Sequence, residues 1–177
     1  MMDDQQILKG CLKHDKRAQK CLYDRYARIL MGIAVRYATD VPEAEDILQE
    51  SLLKIYLNIA DYSGEGSFTG WMRRIVINTS ITHYHKHLKH KHHLGIEELY
   101  TSEAGISDIP DTLFSAEELK LVLDELPVGY RTVFNLYAIE GYKHKEIAKM
   151  LEIDINTSKS QYSRARAYIQ KKLEKFR

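Results

Sequence analysis

The sequence predicts an all-α chain: two helical domains joined by a flexible linker. Three observations lead there. Apolar residues recur at helical spacing along most of the 177 residues, and no stretch alternates convincingly with period two. Only three prolines and nine glycines interrupt that pattern. The span from Leu94 to Thr112 loses the periodicity, gathers Gly95, Gly105, Ser107 and Pro110, and exceeds most connections inside a compact domain. The expected division is therefore 1–93, a linker over 94–112, and 113–177.

In the first part the spacing predicts four helices, near 4–13, 16–37, 42–60 and 67–90. In the second it predicts helices near 115–125, 128–139, 143–151 and 155–175. Leu126-Pro127-Val128 separates the first two of these, because proline starts a helix well and continues one badly. There is no internal repeat.

Composition narrows the function classes. With 44% hydrophobic and 29% charged residues the chain can bury a core and stay in solution. The polar, acidic start from Met1 to Gln6 is unlike a secretory signal, and no apolar run reaches membrane-spanning length. A cytoplasmic protein without membrane insertion is expected. Cys11 and Cys21, ten residues apart in a helical pattern and outside any CxxC pair, read as two buried free thiols.

The net charge of +1 hides a division of signs. Trp71 to His93 carries five Lys or Arg, six His and no acid. Lys143 to Arg177 carries ten Lys or Arg against four acids, and Glu97 to Glu125 carries nine acids and one lysine. Two basic segments flanking an acidic one suit a chain that meets a polyanion at two places.

The segment GYKHKEIAKMLEIDINTSKSQYSRARAYIQKKL has the pattern of a helix-turn-helix. Ile147, Ala148 and Leu151 point inward on the first helix; Ser158, Tyr162, Ala165, Ile169 and Leu173 form a stripe on the second, with Asp154 placed to cap it. Opposite that stripe lie Asn156, Lys159, Ser160, Ser163 and Arg164, and no acid occurs from Ile155 to Leu173. A solvated face usually mixes its signs. This one suits the major groove, where Arg and Lys read guanine edges or grip phosphate.

With these residues in view, the run resembles the fourth conserved region of bacterial RNA polymerase sigma factors. There, EIA and a T-x-K/R-S-x-x-x-R-A-R tract build the reader of the minus-thirty-five element. Thr157, Lys159, Ser160, Arg164, Ala165 and Arg166 fall on that tract. The resemblance implies DNA contact by Asn156, Thr157, Lys159, Ser160, Ser163, Arg164 and Arg166. Lys143 stands where a serine cap is usual, and Glu152 and Asn156 stand where turn glycines are usual.

Upstream, DVPEAEDILQESLLKIYLNI projects as a helix with Leu48, Leu52, Ile55 and Ile59 on one side and Glu43, Asp46 and Glu50 nearly opposite. By spacing alone this is a solvated acidic face. Its E-D-x-x-Q-E followed by an apolar run resembles the second conserved region of extracytoplasmic-function (ECF) sigma factors, which docks on the polymerase clamp. That resemblance makes Asp46, Gln49 and Glu50 the candidate polymerase contacts.

The following tract, YSGEGSFTGWMRRIVINTSITHYHKH, carries Phe68, Trp71, Met72, Ile75 and Val76 and is similar to the family's F-x-x-W-L-x-R-I-A-x-N-x-A. There the tract reads the melted minus-ten strand, so Arg74 and Asn78 are candidate DNA contacts, while Lys86, in the basic run that follows, is a candidate phosphate contact by charge. Trp71 invites base stacking, but its spacing with Phe68 and Ile75 favours core packing. His83 and His87 are four apart as helical metal ligands can be, yet no Cys, Asp or Glu stands near them in sequence. The histidine run therefore reads as an addition to phosphate binding.

The resemblance spans residues from about 15 to 90 and from about 113 to 173. It implies a sigma factor with a four-helix region 2 domain and a helix-turn-helix region 4 domain. Its partners would be promoter DNA and core RNA polymerase through its clamp coiled coil and flap; family members are often held inactive by an anti-sigma protein, and any such partner here would be a separate gene product. No catalytic set, cofactor or metal is implied. The competing reading is a free-standing helix-turn-helix regulator acting on an operator, which leaves the N-terminal half unexplained.

Overall fold

The computed structural model describes residues 2–94 and 116–174. Among the described residues there are helices, turns and no strands. Of the predicted linker, 95–112 lies outside the described residues. The chain divides into two compact units, Met1–Lys86 and His87–Arg177.

The first unit is built from α1 (Asp4–Leu12), α2 (Lys16–Tyr37), α3 (Val41–Leu57) and the greater part of α4 (Phe68–Leu94), with a 3-10 turn at Ile59–Asp61. An oxygen-bearing side chain starts each helix. Asp3, Asp15 and Asp40 accept from the backbone N–H groups of Gln6, Arg17 and Glu43, each at 2.8 Å. Ser67 Oγ accepts from Gly70 N–H at 2.8 Å. Such caps satisfy donors that the helix itself leaves unpaired, each worth about 1 kcal/mol.

The core runs along α2 through Ala18, Leu22, Tyr26, Leu30, Ile33 and Tyr37, all buried. It is met by Ile7 and Cys11 of α1, Ala44, Ile47, Leu52 and Ile55 of α3, and Phe68, Met72, Val76 and Ile81 of α4. At Gly10, α1 approaches α2 so closely that a Cβ would stand 2.3 Å from that of Ala18. Cys11 is buried and free, and burial raises its thiol pKa, helped by Asp15 and Cys21. Cys21 is only half-buried, unlike the expectation for both thiols.

The second unit comprises α5 (Ala116–Asp124), α6 (Val128–Phe134), α7 (His144–Leu151) and α8 (Ile155–Leu173). Val122, Leu123, Leu126, Phe134, Ala165, Ile169 and Leu173 make its core. The helix expected over 128–139 widens after Phe134 into a π-helical turn, Asn135–Ile139. Its wider ring is closed by Glu140 N–H, which donates to Asn135 O at 3.0 Å.

Between α7 and α8, Glu152 takes a left-handed conformation (φ 55°, ψ 42°), and Ile153 N–H donates back to Ala148 O at 3.0 Å. Glu152 thus occupies the turn-glycine position that the sequence pattern indicated. Asn156 does not: it lies in the first turn of α8 with no positive φ. Lys143 lacks a capping oxygen, and the missing bond is partly replaced from the other side. Its backbone N–H donates to the Glu146 carboxylate at 2.7 Å.

Candidate nucleic-acid and polymerase interfaces

On α4, burial separates two faces. Met72, Val76, Thr79, Ser80 and Tyr84 are buried, while Arg74, Asn78 and Lys86 are exposed. With Thr82, also exposed, the three form one row at four-residue spacing, which puts them on one side of a helix. The row carries two cations, an amide and a hydroxyl, donors suited to phosphates and base edges.

The row begins beside an aromatic cluster. Phe68 is buried and stacks on Trp71 at 5.9 Å between ring centroids with 10° between planes. Tyr62 closes on both rings, at 5.2 Å and 5.7 Å. Its hydroxyl donates to Gly66 O at 2.9 Å, which ties down the loop before α4. Trp71 is half-buried, one part of it packed and another part open.

The histidine run divides as well. His83 belongs to the inward side of α4, not to the exposed row. Its Nε2 lies 3.0 Å from Glu50 Oε2 and its Nδ1 3.7 Å from Glu43 Oε1. The two acids absent from its sequence neighbourhood therefore come from α3. Among the described residues no group of three or more His, Cys, Asp or Glu is arranged to hold a metal. His85 packs edge-on to Tyr84 at 5.6 Å, and His90 is exposed.

This changes the reading of α3. Asp46 and Gln49 are exposed, as a docking rim requires. Glu43 and Glu50 are not on a solvated face: Glu43 retains 14% of its side-chain exposure and Glu50 34%. Glu43 Oε2 accepts from both the N–H and the hydroxyl of Thr39 at 2.7 Å. Glu50 Oε1 pairs with Lys54 Nζ at 2.8 Å, and Lys54 donates to Thr79 Oγ1 at 3.2 Å. Lys54 first and His83 second hold the Glu50 carboxyl pKa down at about 2.

Leu48 also departs from the expected inward stripe. It is half-buried and lines a shallow groove with Tyr23, Ala27, Arg28 and Met31 of α2 and Gln49 of α3. Ala44, Ile47 and Ser51 fill the core instead. A helix packed on more than one side buries a broader arc than one stripe, so the polar positions at its edges are drawn inside.

In the second unit α7 and α8 form the helix-turn-helix. Ser158, Ala165, Ile169 and Leu173 are buried as the spacing predicts. Asn156, Lys159, Ser160 and Arg164 are exposed; Thr157 and Ser163 are half-buried beside them. Arg166 lies at the edge of this face, its guanidinium 5.9 Å from the Tyr162 ring centroid. Arg164 Nη1 donates to the Tyr130 hydroxyl at 3.2 Å, which restrains its head group.

The turn at 135–139 supplies an element that spacing did not reveal. It presents Tyr137, which stacks on His144 at 4.3 Å and meets Tyr162 at 4.5 Å; Tyr162 in turn stacks on Phe134. His144 Nδ1 lies 2.9 Å from Ser158 Oγ. Burial, then the Lys159 charge, lowers the His144 pKa, so a neutral imidazole joins the two helices. Asp154 accepts from Asn156 N–H at 2.7 Å and starts α8.

The comparisons agree with this geometry in both units. The sigma-70 region 2 family matches residues 22–89, and the sigma-70 region 4 family matches residues 116–169. The chain is 28% identical to the RNA polymerase sigma-H factor of Pseudomonas aeruginosa, over 97% of this chain and 94% of that protein. It is 28% identical to the ECF RNA polymerase sigma-E factor of Haemophilus influenzae, over 98% of this chain and 96% of that one. Among solved structures it is similar to the sigma factor RpoE of Bartonella quintana, captured with the anti-sigma factor NepR. The TM-score there is 0.53 at 20% identity, over 88% of this chain and 96% of that one.

The region 2 match accounts for the N-terminal half that an operator-binding regulator leaves unexplained. Among the described residues no helix is long and apolar enough to cross a membrane. Sigma factors are non-catalytic initiation subunits whose partners are core RNA polymerase and promoter DNA. This chain belongs to the extracytoplasmic-function group of the sigma-70 family of RNA polymerase sigma factors.

Proposed function

We propose that this sigma factor directs promoter-specific initiation by reading two DNA elements with its two units. Asp46 and Gln49 on α3 meet the clamp coiled coil of core polymerase. Arg74, Asn78 and Lys86 on α4 take the melted minus-ten strand, with the Asn78 amide pairing to a flipped base. Asn156, Lys159, Ser160, Ser163 and Arg164 on α8 enter the major groove at the minus-thirty-five element, with Thr157 and Arg166 at the rim. The C-terminal unit also meets the polymerase flap. The protein works in the bacterial cytoplasm, where a separate anti-sigma protein is its regulator.

The observation that carries this reading is the row Arg74–Asn78–Lys86, exposed on one side of a helix whose other side is core. Charge positions the strand and the amide specifies it, a division of labour common at DNA interfaces. The test is transcription of fragmented genomic DNA by core polymerase with and without the protein, sequencing the RNA starts. Protein-dependent starts sharing two upstream elements support the reading, and Asn78→Ala should reduce strand opening while Arg164→Ala reduces duplex binding. No new starts with folded protein would refute it.

A further inference from the structure

We propose that Glu50 and His83 form a strut between α3 and α4, so that Glu50 positions the strand-binding helix and is not itself a polymerase contact. The proposal rests on the reading above, in which α3 faces polymerase and α4 faces DNA.

Glu50 is the last residue of the E-D-x-x-Q-E motif, but its surroundings differ from those of Asp46 and Gln49. Both neighbours are exposed, whereas both Glu50 carboxylate oxygens are occupied. One pairs with Lys54 Nζ at 2.8 Å and the other with His83 Nε2 at 3.0 Å. A polymerase cation reaching this carboxylate would compete with two charge-assisted hydrogen bonds already in place.

The contacts from α3 meet α4 within the span of the exposed row. His83 sits one helical turn beyond Thr79, which receives the Lys54 ammonium at 3.2 Å and itself donates to Ile75 O at 2.9 Å. Thr79 and His83 each follow a member of that row, Asn78 and Thr82, so α3 holds α4 at two successive turns beside the DNA row. Glu43 adds a second, longer approach to His83 at 3.7 Å and is anchored by Thr39. With 15% exposure, the His83 ring has little freedom to leave this setting.

Four single variants of the full chain test this with core polymerase: Asp46→Ala, Glu50→Gln, His83→Leu and His83→Gln. Polymerase affinity is read by anisotropy of labelled protein. Strand opening is read by permanganate reactivity at a promoter found in the transcription assay. Glu50→Gln and His83→Leu should keep polymerase affinity within about twofold while opening falls about tenfold. His83→Gln, whose amide nitrogen can stand where Nε2 stands, should recover most of the opening. That rescue separates a strut from general destabilisation.

Loss of polymerase affinity in Glu50→Gln as large as in Asp46→Ala would overturn the proposal. So would strand opening at the wild-type level in His83→Leu. Unchanged affinity in Asp46→Ala, with opening lost in Glu50→Gln, would refute the docking role of α3 and leave the strut in place.

Discussion

Replacing Glu152 by glycine should stabilise the second unit, an unusual direction for a change in a DNA-binding motif. Glu152 holds φ 55° and ψ 42°, where a side chain crowds its own backbone. The left-handed region costs a residue with a Cβ about 1–2 kcal/mol. Glycine avoids that cost but loses about 0.5–1 kcal/mol through the greater freedom of its unfolded chain. The carboxylate also sits at the negative end of α7, where its removal should gain about 0.3–1 kcal/mol. The net expectation is about 1 kcal/mol of added stability, or about 4–8 °C in Tm for a unit of this size.

Hydrogen exchange over residues 144–173 is the assay, because it isolates the second unit. Slower exchange across α7 and α8 in Glu152→Gly would support the reasoning, and Glu152→Asn should fall between the two. Faster exchange in the glycine variant would show that the Glu152 side chain earns more than its backbone costs, and would refute the argument from φ.

Ile169→Ala should destabilise the same unit by about 3 kcal/mol, since Ile169 is 1% exposed among Leu173, Ala165 and Val122; thermal unfolding checks it. Lys159→Ala should weaken duplex binding and lower the salt dependence by about one unit on a log–log plot, measured by titration at several salt concentrations. Glu50 gives a pH signature. Its carboxyl is depressed from 4.5 to about 2, so its stabilising contribution is fully present above pH 4.5 and is lost as the pH falls towards 2. Stability of the first unit measured across that window should fall more steeply in the wild type than in Glu50→Gln.

Local information carried the helices. Aspartates before α1, α2, α3 and α8, and Ser67 before α4, mark starts that the structure places within a residue or two of their expected positions. The α8 stripe was legible because one side of that helix alone packs against the core. What escaped was tertiary. His83 reads as lysine-like among its neighbours, yet its partners stand 33 and 40 residues earlier. Spacing puts Leu48 on an inward stripe and Glu50 opposite it, whereas α3 is enclosed by α2 on one side and α4 on another. Analogy with glycine puts Asn156 in a turn, but the Asp154 cap draws it into the helix.

The π-helical turn at 135–139 has a mechanical consequence. One additional residue per turn stores a rotation of about 100° in the backbone between α6 and the approach to α7. Deleting a single residue there would return the segment to ordinary helical pitch and swing Tyr137 out of line with His144 and Tyr162. The aromatic column would lose its middle member while Ile169 and Leu173 kept their places. Chain length at this one point therefore sets how Tyr137 and the start of α7 seat against α8, an adjustment that no exchange of side chains could reproduce.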